Sequence, residues 1–246
     1  MDILNLTKEE SNQLLNLRKD QLNILCLEKP ELKGLTSRVG VVLDNSGSMR
    51  NLYKNGTVQA VLEKLFPLAL QFDDNGEMEL WIFDDEFHRL ENITRDNYYG
   101  YISEKVFGKY HMGCTNYAPV LKDIRKKYIK EEPAKLPNYI IFITDGDNQD
   151  RAETTRTIRE MSKDPIFLQF VGIGNDRFSY LELLDEMDGR YVDNANFFAL
   201  PNLINIQDNE LYKLLLKEYP QWLQYSEVKH MISQQGKNGF FSKLFG

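Results

Sequence analysis

The segment Asp44-Asn45-Ser46-Gly47-Ser48-Met49 sets a carboxylate and two hydroxyls at alternate positions on a glycine-softened turn. Alternation on such a turn lets the three side chains point at one spot, and all three are hard oxygen donors of the kind Mg2+ prefers. Further along, Gly113-Cys114-Thr115-Asn116 offers a third hydroxyl at Thr115, and Thr144-Asp145-Gly146 offers a second carboxylate at Asp145. Asp44, Ser46, Ser48, Thr115 and Asp145 are therefore the candidate ligands of one divalent cation. Mg2+ is the expected ion, with Ca2+ or Mn2+ as the other hard cations such a set accepts.

Five side chains so far apart in sequence need a scaffold that brings loops together. The apolar runs Val39 to Leu43, Met78 to Phe83, Tyr139 to Thr144 and Ile166 to Val171 alternate with amphipathic segments, the pattern of a wound α/β sheet. Helices are expected over Thr57 to Phe72, where Pro67 predicts a kink or an early end, and over Tyr117 to Lys130, Arg151 to Lys163 and Phe178 to Met187. Asp84-Asp85-Glu86 reads as a tight turn into an antiparallel edge strand at Phe87 to Leu90. The expected fold is a doubly wound, mostly parallel α/β sheet with one antiparallel edge strand and helices on both faces. In such sheets ligands bind where the loops leave the carboxyl ends of the strands. Asp44 and Asp145 both stand at such a position.

The ordered set, Asp-x-Ser-x-Ser after the first strand, a Thr before a helix and Thr-Asp-Gly after the fourth core strand, resembles the metal-ion-dependent adhesion site of von Willebrand A domains. The likeness runs from about residue 38 to 200 with all five positions present. It implies direct ligation by Ser46 and Ser48, direct or water-mediated ligation by Thr115, and ligation by Asp44 and Asp145 mostly through water. It further implies a protein partner whose Asp or Glu completes the shell, and no enzymatic activity. More narrowly, the run His111 to Leu121 and the start Asn5-Leu6-Thr7-Lys8 resemble bacterial A-domain proteins linked to tellurite resistance and stress response, which are close to the copine A domain. That likeness implies a cytoplasmic role in a toxic-cation or stress-response complex.

The remaining sequence bounds this reading. Residues 1–35 form an N-terminal extension expected to hold an amphipathic helix and a short extended piece, 36–205 the main domain, 206–232 a helical segment interrupted by Pro220, and 233–246 a basic and aromatic tail. That tail carries Lys237, Lys243, Phe240, Phe241, Leu244 and Phe245, too short and too weakly charged for more than weak binding to a membrane surface. No apolar run is long enough to cross a bilayer, and the start lacks the pattern of a secretory signal. A net charge of -7 works against nucleic-acid binding. Cys26 and Cys114 belong to no paired motif, which fits a reducing compartment, and Cys114 is expected as a small buried side chain beside Thr115. His88, His111 and His230 are scattered, and His111 alone falls near the Thr115 loop.

Two further readings attach to acidic residues near Asp145. Asp147 and Asp150 either tune a bound cation or begin a solvated helix. Ile140 to Asp147 also resembles the Asp-x-Asp loop of haloacid-dehalogenase-type phosphatases, with Asp145 as nucleophile and Asp147 as acid and base in an Mg2+-dependent phosphohydrolase. That loop normally follows the first strand, however, and here three sheet elements precede it. Gly172-Ile173-Gly174-Asn175 lacks the third glycine of a dinucleotide motif and is expected as a loop.

Overall fold

A run such as Val39 to Leu43 has no polar side to turn to water, so it needs cover on both faces. The computed structural model, which describes residues 6–146, 148–174, 177–201 and 203–235, gives it that cover. Six strands, β1 (Arg38–Asp44), β2 (Glu79–Phe83), β3 (Phe87–Arg89), β4 (Asn138–Thr144), β5 (Ile166–Ile173) and β6 (Ala195–Leu200), form one sheet in the order β3-β2-β1-β4-β5-β6. All neighbours are parallel except β3, which runs antiparallel to β2 at the edge. The mostly parallel sheet with one antiparallel edge strand is as the sequence pattern predicts. Beyond it, β6 adds a strand that the apolar runs did not reveal.

The period-two alternation of strands sorts the core into two layers. Val39, Val41, Leu43, Tyr139, Ile141 and Ile143 face a layer built with α1 (Lys8–Glu28), α3 (Thr57–Phe72), α7 (Asp208–Leu215), α8 (Tyr219–Trp222) and α9 (Ser226–Gln234). Val42, Trp81, Phe83, Ile140, Phe142 and Phe170 face a layer built with α4 (Ala118–Lys126), α5 (Arg151–Met161) and α6 (Ser179–Asp185). A short helix α2 (Arg50–Lys54) follows the first loop. The sheet is therefore wound on both faces, with its loops converging at one end. No helix among the described residues is long and apolar enough to cross a membrane.

Local departures from the sequence pattern have physical causes. Pro67 neither ends nor breaks α3, which continues to Phe72. A proline strips the carbonyl four residues earlier of its helical donor, and here that carbonyl, Glu63 O, lies 3.4 Å from Arg18 Nη1 of α1, which donates to it. Tyr212 of α7 donates to the next one, Lys64 O, at 3.0 Å. The short extended piece expected after α1 is instead a 3-10 turn over Pro30–Leu32. Pro220 does not interrupt one helix but starts α8, where a missing N–H costs nothing. Gly172 and Ile173 end β5 rather than forming a loop, and a Cβ at Gly172 would lie 2.8 Å from the Phe178 ring. Asn175 and the end of the tail, residues 236–246, lie outside the described residues.

The N-terminal helix is capped by Thr7 and Glu10, each bonding the other's backbone N–H at 3.3 and 2.8 Å. Its Arg18 is 2 % exposed and also pairs with Asp208 of α7 at 3.0 Å, while Lys64 of α3 reaches the same carboxylate at 3.0 Å. Without Arg18, Lys64 would still pair with Asp208, but the buried Glu63 carbonyl would lose its donor, and an unmet buried hydrogen-bonding group costs about 1–3 kcal/mol. Arg18→Ala is expected to lose stability on that scale in chemical denaturation. A loss near zero would show that Arg18 does not brace the proline-bearing helix.

Candidate metal centre

β1 ends at Asp44, whose Cα is in register with Phe83 of β2, and Asn45 N still donates to Phe83 O at 2.7 Å. The chain then turns away through the 3-10 turn Gly47–Met49. Asp44 is fully buried at this turn. Its Oδ1 accepts from Ser46 N at 2.7 Å, its Oδ2 accepts from Thr144 Oγ1 at 2.6 Å, and its carbonyl accepts from the Tyr53 hydroxyl at 3.0 Å. Ser46 Oγ lies 3.0 Å from Ser48 Oγ, and Ser48 Oγ donates to Asp145 Oδ1 at 2.8 Å. Asp44, Ser46, Ser48 and Asp145 thus share one hydrogen-bonded cluster running from the buried end of β1 to the exposed Ser48.

Thr115 reaches this end of the sheet through its backbone neighbours. Gly47 N donates to Gly113 O at 3.0 Å, Asn116 N to Asp84 O at 2.9 Å, and Gln149 N to Thr115 O at 2.9 Å, while Asn45 Nδ2 donates to His111 O at 2.6 Å. The segment from His111 to Asn116 is therefore laced to all three other loops. Asp150 secures the helix that follows. Its carboxylate accepts from Tyr117 N at 3.0 Å and Ala118 N at 2.8 Å, so it caps α4 from the loop before α5. Asp150 also stands at the start of α5, as its position in the sequence suggests, so one residue joins the beginnings of two helices. Asp147 lies outside the described residues.

Burial pushes the Asp44 carboxyl up to about 6, hydrogen bonds from Ser46 and Thr144 pull it down, and the neighbouring charge of Asp145 adds to the rise. The donor set here, hydroxyls with two carboxylates around a desolvated acid, fits a small hard cation. Such an ion would be held by Ser46 and Ser48, with Thr115 on the adjoining loop and with Asp44 and Asp145 supplying negative charge behind them.

Several residues escaped the sequence reading. The sequence offers Thr144 only as part of a motif, yet its hydroxyl anchors Asp44. The acidic turn Asp84-Asp85 looks in the sequence like a hairpin connection alone, but it lies against His111, with Asp84 Oδ2 3.4 Å from His111 Nδ1. Nothing local in the sequence signals that pairing, because the partners come from different loops. Cys114 is exposed rather than buried, and Cys26 is the buried thiol, pushed up to about 11 by burial. Both are free.

A wound sheet with one antiparallel edge strand and a hydroxyl-rich acidic cluster after its central strand is the architecture of a von Willebrand A domain. The family model described as the vWA found in the TerF C terminus matches residues 36–232, and the chain belongs to that TerF-like vWA family. The uncharacterized protein YcbR of Bacillus subtilis (strain 168) is 42 % identical over 242 residues, covering 94 % of this chain and 98 % of that protein. Copine-E of Dictyostelium discoideum is 28 % identical over 102 residues, covering 40 % of this chain and 18 % of its own length. Among solved structures, proximal thread matrix protein 1 from the mussel byssus shares the fold at a TM-score of 0.54 and 16 % identity, over 74 % of this chain and 46 % of that chain. Domains of the vWA type are generally non-catalytic and commonly mediate metal-dependent protein interactions.

A raised acid titrates against the folded state as pH climbs. With the Asp44 carboxyl at about 6 in the fold and near its ordinary 3.8 when unfolded, the contribution of Asp44 to cation-free stability is greatest at the acid end and is lost as pH rises through that window. Asp44→Asn removes the charge while keeping the shape. The cation-free variant is expected to exceed the wild type by on the order of 1–3 kcal/mol at pH 7, with the gap closing near pH 4. Thermal melts in chelator across pH would read this, and equal stability at pH 7 would contradict it.

Proposed function

We propose that this chain is a cation-dependent protein-interaction module. Ser46, Ser48 and Thr115 hold Mg2+, for which Ca2+ or Mn2+ can substitute, and Asp44 and Asp145 act mostly through water. When bound, the ion supplies an electrophilic position for a partner's Asp or Glu. The observation carrying this reading is the single hydrogen-bonded cluster that joins Asp44, Ser46, Ser48 and Asp145 at the carboxyl end of the sheet. Hydroxyl donors bring no charge of their own, so a partner's carboxylate keeps its electrostatic attraction to the site.

In this reading residues 36–205 form the interaction module, 1–35 a helical brace, 206–232 its C-terminal cover and 233–246 a basic and aromatic tail. The TerF-type family match supports a place in a bacterial tellurite or toxic-cation resistance or stress-response complex. The two free cysteines are consistent with a cytoplasmic setting. The net charge of -7 disfavours nucleic acid as the partner.

Added Mg2+ at about 100 times its dissociation constant is expected to stabilise the wild type by about 2.7 kcal/mol. For a chain of this size that is a Tm rise of about 5–10 °C. The rise should vanish in Ser46→Ala and in Asp44→Asn, and a partner retained by the wild-type protein should be released by chelator. If Ser46→Ala keeps the full thermal shift, the assignment of the site fails.

A further inference from the structure

We propose that Asp84, Asp85 and His111 form a second cation site, one that takes a borderline transition-metal ion such as Zn2+. It does not depend on the proposed Mg2+ site and stands if that reading fails. One ligand atom from each of the three side chains lies within 4.8 Å of the other two. Ligands around a four-coordinate Zn2+, bound at about 2.0–2.1 Å, sit about 3.4 Å apart. The required contraction is small, and it falls on movable groups, since the His111 side chain is 82 % exposed and Asp85 is exposed.

The anchor is prepared. Asp84 is only 6 % exposed, and its carboxylate is oriented by two backbone donors, Glu86 N to Oδ1 at 2.8 Å and Gly113 N to Oδ2 at 2.9 Å. Each carboxylate oxygen has a further lone pair, so these bonds fix its direction without exhausting it. Asp85 Oδ1 accepts from Cys114 N at 3.2 Å, which folds that carboxylate over the Gly113 backbone. A Cβ at residue 113 would lie 1.8 Å from Asp85 Oδ1 and 3.2 Å from Asp84 Oδ2. Glycine at 113 is therefore what lets both carboxylates occupy one corner, beside His111. Two carboxylates drawn together in this way repel, and a cation relieves that repulsion.

The donor chemistry separates this corner from the cluster at Ser46 and Ser48. An imidazole nitrogen with two carboxylates suits Zn2+ and related ions, whereas hydroxyls and carboxylates without nitrogen suit Mg2+. The placement also has a consequence, because His111 and Gly113 lie on the segment that carries Thr115. An ion bridging His111 to the β2–β3 turn would hold that segment against Asp84.

The test is calorimetric titration of the metal-free full chain with Zn2+ in excess Mg2+. Binding of one Zn2+ per chain is expected in the wild type and in Asp44→Asn. Affinity should fall at least about tenfold in His111→Ala, in Asp85→Asn and in Gly113→Ala, which displaces Asp85 without removing a ligand. His111 and Asp85 are exposed, so their variants retain the fold. Undiminished binding in His111→Ala overturns the proposal, as does absence of binding in the wild type. Loss of binding in Asp44→Asn alone would place Zn2+ at the oxygen cluster, and loss in Cys114→Ser alone would place it on the exposed thiol; either result also rejects the site.

Discussion

A carboxylate at the end of the central strand, removed from water, is the constraint around which the functional end of this molecule is organised. Asp44 sits where β1 stops and cannot be solvated, so the fold must satisfy it from within. Ser46 supplies a backbone donor, and Thr144, from the end of the neighbouring strand β4, supplies a hydroxyl. The second of these bonds ties two strand ends together at their carboxyl termini. Tyr117, at the start of the segment leading into α4, donates to Gly146 O at 2.5 Å and so draws the Thr115 segment to the same point. Three loops distant in sequence are thus organised around one buried acid.

The rest of the fold keeps those strand ends in place. β1 and β4 are covered on both faces, and their residues alternate between the two apolar layers. A loop that leaves such a strand inherits its position from packing rather than from its own bonds. On one face the cover depends on α3, which carries a proline in its interior. The donors for the carbonyls around that proline come from Arg18 in α1 and Tyr212 in α7. The N-terminal helix is therefore part of what lets α3 remain one helix, and through α3 it supports the strand that ends in Asp44.

How much of this is legible in the sequence follows from how local each determinant is. β1, β4 and α3 declare themselves because their burial pattern is written in consecutive residues, and the Asp-x-Ser-x-Ser turn because its donors are neighbours. β6 does not, because Asn194 precedes it and Asn196 interrupts its apolar character. The structure makes that tolerable by pairing the Asn196 amide with buried Gln169, at 3.0 Å, across the strands. The continuation of α3 past Pro67 depends on donors from two other helices, which no window around residue 67 contains. Asp150 caps a helix that begins 32 residues earlier, and Asp84 meets His111 across a similar gap. Such pairings are products of the sheet order and appear only once the strands are arranged. The exposure of Cys114 is equally non-local: its backbone N–H is bound by Asp85 of another loop while its thiol faces outward.

The state of Asp44 also bears on how a cation would be held under the proposed function. Both of its oxygens already accept hydrogen bonds, one from Ser46 N and one from Thr144 Oγ1, each shorter than 2.8 Å. Each oxygen keeps a second lone pair, but a fully buried carboxylate aimed by these two bonds could not swing toward an ion without breaking one, and an unmet buried donor costs about 1–3 kcal/mol. The acid is better placed to act at one remove, polarising the groups that touch the ion. Asp145, only partly buried, also accepts a hydrogen bond, from Ser48. Inner contacts would then fall to neutral hydroxyls, with the two negative charges behind them. A cation held in that way keeps more of its own field directed outward than one wrapped in carboxylates. Under the proposed function, the arrangement that leaves Asp44 costly in the absence of an ion would therefore be the same arrangement that keeps the site receptive to an incoming carboxylate.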